Sequence, residues 1–422
     1  MKGECRIAVV LSGGGANGAY EVGVLKALLV GKSPATRCTP LVPDVYAGTS
    51  IGSFNAAFLT SQWDTYGASA AGNLESVWLD CLAETASRPN GAFRLRGDPF
   101  ELLEPSRYLP NPFQPFLQFL QDGAVVGWDG LQRAVNFVTQ RDANLRQRIV
   151  ELLNFTTFVS TEPWEQTIRD SIRFESIRSS SRKLRVTTTN WTTGALEVYQ
   201  NLDMTDRLGP AILMASSAIP GIFPPITIGA EPHVDGGVLM NTPLKLATDA
   251  GADILHVIYL DPQVRAIPFG ALQSTLATIY RQQAISWART VNDDIGDAAV
   301  INRSIEIFDA IEKGRTIGNP EVELLAKSVN KILSRVQKFL RYRPLTIHRY
   351  HPRDDLSGGA LGLLNLDRGH IQELIERGFA DATLHDCEAS GCVLPTVNDE
   401  ELTQAAHSEV ERGDGSRSGG NP

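Results

Sequence analysis

The chain opens with its clearest hydrophobic signal. Arg6–Leu11 (RIAVVL) is a short apolar run halted by glycine, the pattern of a buried strand. Ser12–Gly18 follows as a glycine turn, and Ala19–Val30 sets Val22, Leu25 and Leu29 at helical spacing. Gly31–Pro43 carries three prolines and predicts a loop. Val45–Ala47 predicts a second short strand and Ile51–Thr60 a second helix. This strand–turn–helix rhythm is that of an α/β protein with a mostly parallel sheet.

From about residue 63 to 180 the rhythm is lost. Pro89–Gly97, Pro105–Pro115 and Gly123–Gly130 read as loops with helical stretches between them, together an insertion or cap. The rhythm returns at Leu184–Thr189, a β-branched strand, then a turn at Trp191–Gly194 and a partner strand at Leu196–Tyr199. Arg207–Ser217 predicts a helix, Ile226–Ile228 and Glu231–Val234 short strands, Pro243–Ala250 a helix and Ile254–Leu260 a buried strand. Beyond Pro262 helices dominate, over Leu272–Asp293, Val322–Tyr342 and Arg368–Ala380, with one more strand at Thr346–His351. Ser408–Pro422 is rich in Gly, Ser and charge and reads as disordered.

At 422 residues the chain suits one large α/β domain with insertions, or two domains. The formal net charge of −9 offers phosphate backbones no attraction, so no nucleic-acid partner is expected. Five cysteines (Cys5, Cys38, Cys81, Cys387, Cys392) are scattered and odd in number, which indicates neither a disulfide framework nor a zinc site and fits a reducing, cytoplasmic setting. No secretory leader and no apolar run of membrane-spanning length is seen.

Three constellations carry chemistry. Gly48-Thr49-Ser50-Ile51-Gly52 is a G-x-S-x-G between a strand and a helix. A sharp turn there exposes a serine hydroxyl, small flanking residues let strand and helix approach, and the helix N-terminus brings partial positive charge to a developing oxyanion. The pattern also arises by chance in unrelated proteins. Gly13-Gly14-Gly15-Ala16-Asn17-Gly18 can aim several backbone N–H groups into one concavity. A phosphate P-loop would need Lys and Ser/Thr where Ala19 and Tyr20 stand. The dinucleotide fingerprint is met by Gly13, Gly15 and Gly18, but no second strand ends in an acid at the required distance. An oxyanion hole fits better, because a nucleophile elbow follows in the same unit. Asp235-Gly236-Gly237 is by residue type a turn; its functional reading is a carboxylate that accepts the serine proton.

In this order the motifs resemble the patatin-like phospholipases, with support from Ala215–Pro220, Phe223–Pro225, Asn241–Leu244 and Thr187–Gly194. The resemblance covers roughly residues 5–62 and 155–262. It implies a three-layer sandwich with a mostly parallel central sheet flanked by helices, to which the chain's own pattern adds a helical cap insertion and a helical C-terminal extension. In that scheme residues 5–265 form the catalytic domain, with 63–154 as the cap, 266–390 are mainly helical and 391–422 form a flexible tail. It further implies a serine lipid acyl hydrolase with Ser50 as nucleophile and Asp235 as its only side-chain base. Gly13, Gly14, Gly15 and Ile51 would form the oxyanion hole, supported by Asn17, Gly18, Gly48, Gly52, Gly236 and Gly237. No cofactor or metal is expected. The family usually has Arg or Lys where this chain has Asn17, so either backbone amides suffice here or activity is differently tuned.

The rival base is a histidine. His233 shares a strand face with Asp235, and His256, His348 or His351 would complete a triad in hydrolase order. His256 in its apolar strand reads as a core residue, and His348 and His351 as surface residues. Pro112–Leu120 (PFQPFLQFL) reads either as an element making peripheral membrane contact over an acyl groove or as a cap segment folded into its own core. A lipid or ester substrate follows from the resemblance. The other readings are a nucleotide-binding module or oxidoreductase using Gly13–Gly18, and a catalytically degenerate scaffold.

Overall fold

A computed structural model describes residues 5–96, 114–139, 155–260, 275–313, 344–353, 356 and 362–394. Strands are β1 (Ile7–Leu11), β2 (Val45–Gly48), β3 (Arg94–Leu95), β4 (Val159–Ser160), β5 (Lys183–Asn190), β6 (Leu196–Gln200), β7 (Ile226–Ile228), β8 (Glu231–Asp235), β9 (Ile254–Ile258) and β10 (Thr346–Tyr350). Helices are α1 (Gly18–Leu29), α2 (Ile51–Tyr66), α3 (Ala70–Val77), α4 (Gln114–Thr139), α5 (Glu162–Ser171), α6 (Phe174–Ser179), α7 (Leu208–Ser216), α8 (Leu244–Asp249), α9 (Thr275–Lys313) and α10 (Arg368–Thr383).

Eight strands form one mixed sheet in the order β10-β9-β1-β2-β5-β8-β7, with β6 also on β5. Its centre is parallel: β1 runs with β2 and β9, and β2 with β5. Its far side is antiparallel, β8 lying between β5 and β7. The apolar runs explain this layout. Ala8–Leu11 and Leu255–Ile258 are wholly buried, as strands covered on both faces must be. Helices flank the sheet as expected, and the described C-terminal region is mainly helical apart from β10.

Register decides where the chemistry lies. Leu11 pairs with Gly48, and Gly48 with Val186, so β1, β2 and β5 reach one sheet edge together. Asp235 pairs with Thr188, two residues further toward that edge. In open α/β sheets the carboxyl ends of the strands are where sites form. The glycine loop after β1, the serine after β2 and the aspartate ending β8 therefore converge.

Helix α1 carries only Glu21 and Lys26 as charged residues and is buried at every position but Lys26. It packs along α10, with Gly23 against the backbone of Ile375 and Phe379 and Gly378 against that of Tyr20. Side chains at these glycines would drive two backbones apart.

One expectation changes. Gly123–Gly130 lies inside α4 rather than in a loop, because Leu117, Leu120, Ala124, Trp128 and Leu131 recur at helical spacing and carry the helix across its glycines. Within Pro112–Leu120, Leu117 and Leu120 are about half exposed, at 56% and 52%. The expected helix at Val322–Tyr342 and the tail Ser408–Pro422 lie outside the described residues. The two-residue ladder of β3 with β4 closes the base of the segment between them. There Arg94 makes a bidentate pair with Asp122 of α4, both side chains buried.

The chain divides into two compact units. One comprises Met1–Asp294 with His348–Cys392 and holds the candidate site. The other comprises Ile295–Ile347 with Val393–Pro422. Within the second unit, Asn302 exchanges two hydrogen bonds with the Leu345 backbone, and Ile347 bridges Val393.

Candidate active site

Ser50 sits on the turn from β2 into α2 with φ +56° and ψ −130°, a strained conformation for a residue with a Cβ. Its neighbours explain how the turn is tolerated. A Cβ at Gly48 would collide with the Gly52 carbonyl, and one at Gly52 would lie 2.6 Å from the Ser12 oxygen. The two glycines thus let strand, turn and helix close on one another. Further bonds pin the elbow. Ser50 N–H donates to Ser216 Oγ at 3.0 Å, Ser53 Oγ donates to the Ser50 carbonyl, and the Thr49 hydroxyl lies 2.7 Å from that of Thr187 and donates to the Met240 carbonyl.

Ser50 Oγ donates to Asp235 Oδ2 at 2.6 Å. Both residues are buried, at 3% and 4% exposure. Gly237 N–H donates to the other carboxylate oxygen at 2.7 Å, so Asp235 is fixed at both ends. The Gly237 carbonyl in turn accepts from the Trp287 indole and the Gln283 amide of α9. Burial pushes the Asp235 carboxyl up to about 7, against the opposing pull of its two hydrogen bonds. That is the range useful to a general base at neutral pH.

The glycine loop abuts this pair, and a Cβ on Gly13 would come within 2.8 Å of the Ser50 Cβ. Its amides are unequally available. Gly13 N–H donates to the Asn241 carbonyl while Asn241 Nδ2 donates back to the Gly13 carbonyl, and Ala16 N–H donates to the Leu363 carbonyl. Gly13, expected among the oxyanion donors, therefore has its amide engaged, because Asn241 reaches in from the loop after Asp235. Gly15 and Ile51 line the same cavity as Ser50, Gly15 at φ +54° and Ile51 at the first turn of α2. Gly18 packs on the Ile51 side chain, and Gly236 fits against Thr187 where no Cβ has room. Asn17 is buried where the first turn of α1 begins, and its side-chain Oδ1 has no hydrogen-bond partner among the described residues.

The cavity spans about 680 Å³ including the space at its mouth, and none of the described residues lining it is charged. Trp78, Trp164, Met214, Ile219, Phe223 and Leu363 form much of its wall. Trp78 comes from a π turn, Trp78–Leu82, that continues α3. Its indole donates to Asn55 Oδ1, and Asn55 Nδ2 donates to Glu21, whose carboxyl burial pushes well above the usual range. Trp78, Trp164, Met214 and Leu363 escaped the sequence reading because they come from four separate segments, while Ile219 and Phe223 lay in quoted motifs without an assigned role. Ser216 and Asn241 belonged to quoted motifs but carried no assigned role.

The histidines lie elsewhere. His233 is buried with Nδ1 3.0 Å from the Glu231 carbonyl and Nε2 3.1 Å from the Glu197 carboxylate. His256 is buried in β9, its Nδ1 3.2 Å from the Tyr350 hydroxyl, as a core residue should be. His348 is not a surface residue. It is buried in β10 and clusters with His385, Cys387 and Cys392. The scattered positions in sequence thus conceal a grouping of four ligand-type residues. The four ligand-type residues come from a strand and a loop 37 positions apart, a spacing that no local pattern reveals.

No curated protein matches the chain. Among solved structures, VipD from Legionella pneumophila is similar over 88% of this chain and 67% of that chain, at 15% sequence identity and a TM-score of 0.32, too distant to bear on fold or function. No described helix is long and apolar enough to cross a membrane. The family model for patatin-like phospholipase matches residues 9–248, more than half of the chain and the span from within the first strand to beyond Asp235, and the protein belongs to that family.

Proposed function

We propose that the protein is a lipid acyl hydrolase acting through Ser50 and Asp235. The observation that carries this reading is the 2.6 Å bond to Asp235 Oδ2 from the Oγ of Ser50, a residue that lines the apolar cavity. Asp235 takes the hydroxyl proton as Ser50 Oγ attacks the ester carbonyl carbon. The amides of Gly14, Gly15 and Ile51 receive the negative charge on the carbonyl oxygen, at about 3 kcal/mol for each well-aimed donor. Collapse of the tetrahedral intermediate returns the proton from Asp235 to the departing alcohol and leaves an acyl group on Ser50. Water then attacks that ester, with Asp235 again the base, and releases a fatty acid. The acyl chain occupies the apolar cavity. A nucleotide finds little support there, since no cation among the described residues lines the space to meet its phosphates.

The test compares wild type, Ser50→Ala and Asp235→Asn on a short p-nitrophenyl ester and on phosphatidylcholine vesicles, with fluorophosphonate labelling in parallel. Wild type hydrolyses both and labels at Ser50, and both variants fall to background. Full activity in either variant refutes the dyad. An unlabelled, inactive wild type refutes the hydrolase and favours the degenerate scaffold.

A further inference from the structure

Away from the cavity, His348 of β10 meets His385, Cys387 and Cys392 of the loop after α10. One ligand atom from each of the four lies within 4.8 Å of all the others. Cys387 Sγ is 3.5 Å from His348 Nδ1 and 3.5 Å from His385 Nε2, and Cys392 Sγ is 3.4 Å from His385 Nε2. A zinc ion with Zn–S near 2.3 Å and Zn–N near 2.05 Å at tetrahedral angles requires S···N separations of about 3.5 Å. All three separations match that figure.

Hydrogen bonding alone leaves the cluster over-subscribed. Cys387 has one S–H and faces two imidazole nitrogens, while His385 Nε2 has one lone pair or one proton and faces two sulfurs. We infer that His348, His385, Cys387 and Cys392 form a structural Zn²⁺ site. Two thiolates and two neutral imidazoles cancel the ion's charge, which suits a site with both histidines buried. The set is closed, with four protein ligands and no open position, as in structural rather than catalytic zinc sites.

The surroundings are built to orient the ligands. Arg349 N–H points at Cys392 Sγ, 3.3 Å away, a bond that favours the thiolate. Cys392 N–H donates to the Cys387 carbonyl at 2.9 Å, and Gly391 at φ +64° turns the chain so that both sulfurs face inward. His256 stacks on His348 with ring centres 4.9 Å apart, and Tyr350 lies 4.5 Å from the His385 ring. The ion would staple the sheet's edge strand to the end of α10. Since α10 packs on α1, and Leu363 just before α10 accepts from Ala16 of the glycine loop, the staple also steadies the loop's surroundings.

The test uses the full chain, purified under reducing conditions and dialysed after zinc supplementation. Elemental analysis is expected to give close to one zinc per chain, released when a mercurial titrates the thiols. Cobalt substitution should yield the strong red-region absorption of a tetrahedral ion and a near-ultraviolet thiolate charge-transfer band. Cys387→Ser and Cys392→Ser should each lose most of the metal, while Cys38→Ser retains it. Should the serine variants not fold, X-ray absorption of the wild type decides, with a first shell of two sulfurs and two nitrogens expected. A folded wild type that holds no zinc, a Cys387–Cys392 disulfide formed in reductant, zinc retained by the double serine variant, or a first shell without sulfur would each overturn the assignment.

Discussion

Replacing Asp235 by Asn separates what its burial costs the fold from what its charge gives the chemistry. The amide is nearly isosteric. Its oxygen can still accept from Gly237 N–H, and its NH₂ can donate to Ser50 Oγ, so the local geometry should survive. Burial raises the wild-type carboxyl from 3.8 to about 7. A raised acid is a stability cost that begins at the unfolded value, grows as pH climbs to the folded value and is constant above it. At about 1.36 kcal/mol per pKa unit, the wild type gives up roughly 4 kcal/mol above pH 7 by ionising this group in place. Most of that accrues in an accessible window: between pH 5 and pH 9 the advantage of Asp235→Asn should widen by about 3 kcal/mol. Urea unfolding of both proteins at the two pH values measures the change directly. In the same samples, wild-type kcat/KM for a short ester should rise with pH through a single ionisation near 7, and the variant should lose about 10²- to 10⁴-fold. A stability gap that does not move with pH refutes the burial argument. A gap that widens while the variant keeps its activity refutes only the base, leaving the electrostatics intact.

Gly48→Ala should inactivate the enzyme and destabilise it by at least 1–3 kcal/mol, since the new methyl meets the Gly52 carbonyl with no flexible side chain to give way; thermal melts and fluorophosphonate labelling check it. Met214→Trp should fill part of the cavity: at about 0.8 kcal/mol per excluded methylene, two lost methylenes lower kcat/KM for long-chain esters about tenfold while short esters are spared. Equal losses on both chain lengths would show that the cavity does not hold the acyl chain. Arg94→Ala strips the guanidinium from buried Asp122 and should cost about 3–5 kcal/mol by chemical denaturation, with much of it recovered in Arg94→Ala/Asp122→Ala. A single variant within about 0.5 kcal/mol of wild type would mean the pair is not holding α4.

The sequence by itself determined the elements that a few neighbouring residues can dictate. An apolar run stopped by glycine made β1, a largely apolar helix made α1, and G-x-S-x-G made the strained turn at Ser50, because strand burial, helical period and Cβ sterics are local rules. It misread Gly123–Gly130 for the same reason: the glycines argued for a loop, and the longer apolar period of α4 outweighed them. Only the tertiary structure decided which groups meet. The pairing Leu11–Gly48–Val186 and Thr188–Asp235 sets a hydroxyl against a carboxylate 185 positions away, and Asn241 takes the Gly13 amide out of the loop's free donors. The cavity wall and the His348, His385, Cys387, Cys392 cluster were likewise invisible, each drawn from segments whose spacing carries no period. Propensity and turn chemistry act over a few bonds, whereas proximity between distant residues is fixed by sheet register and helix packing.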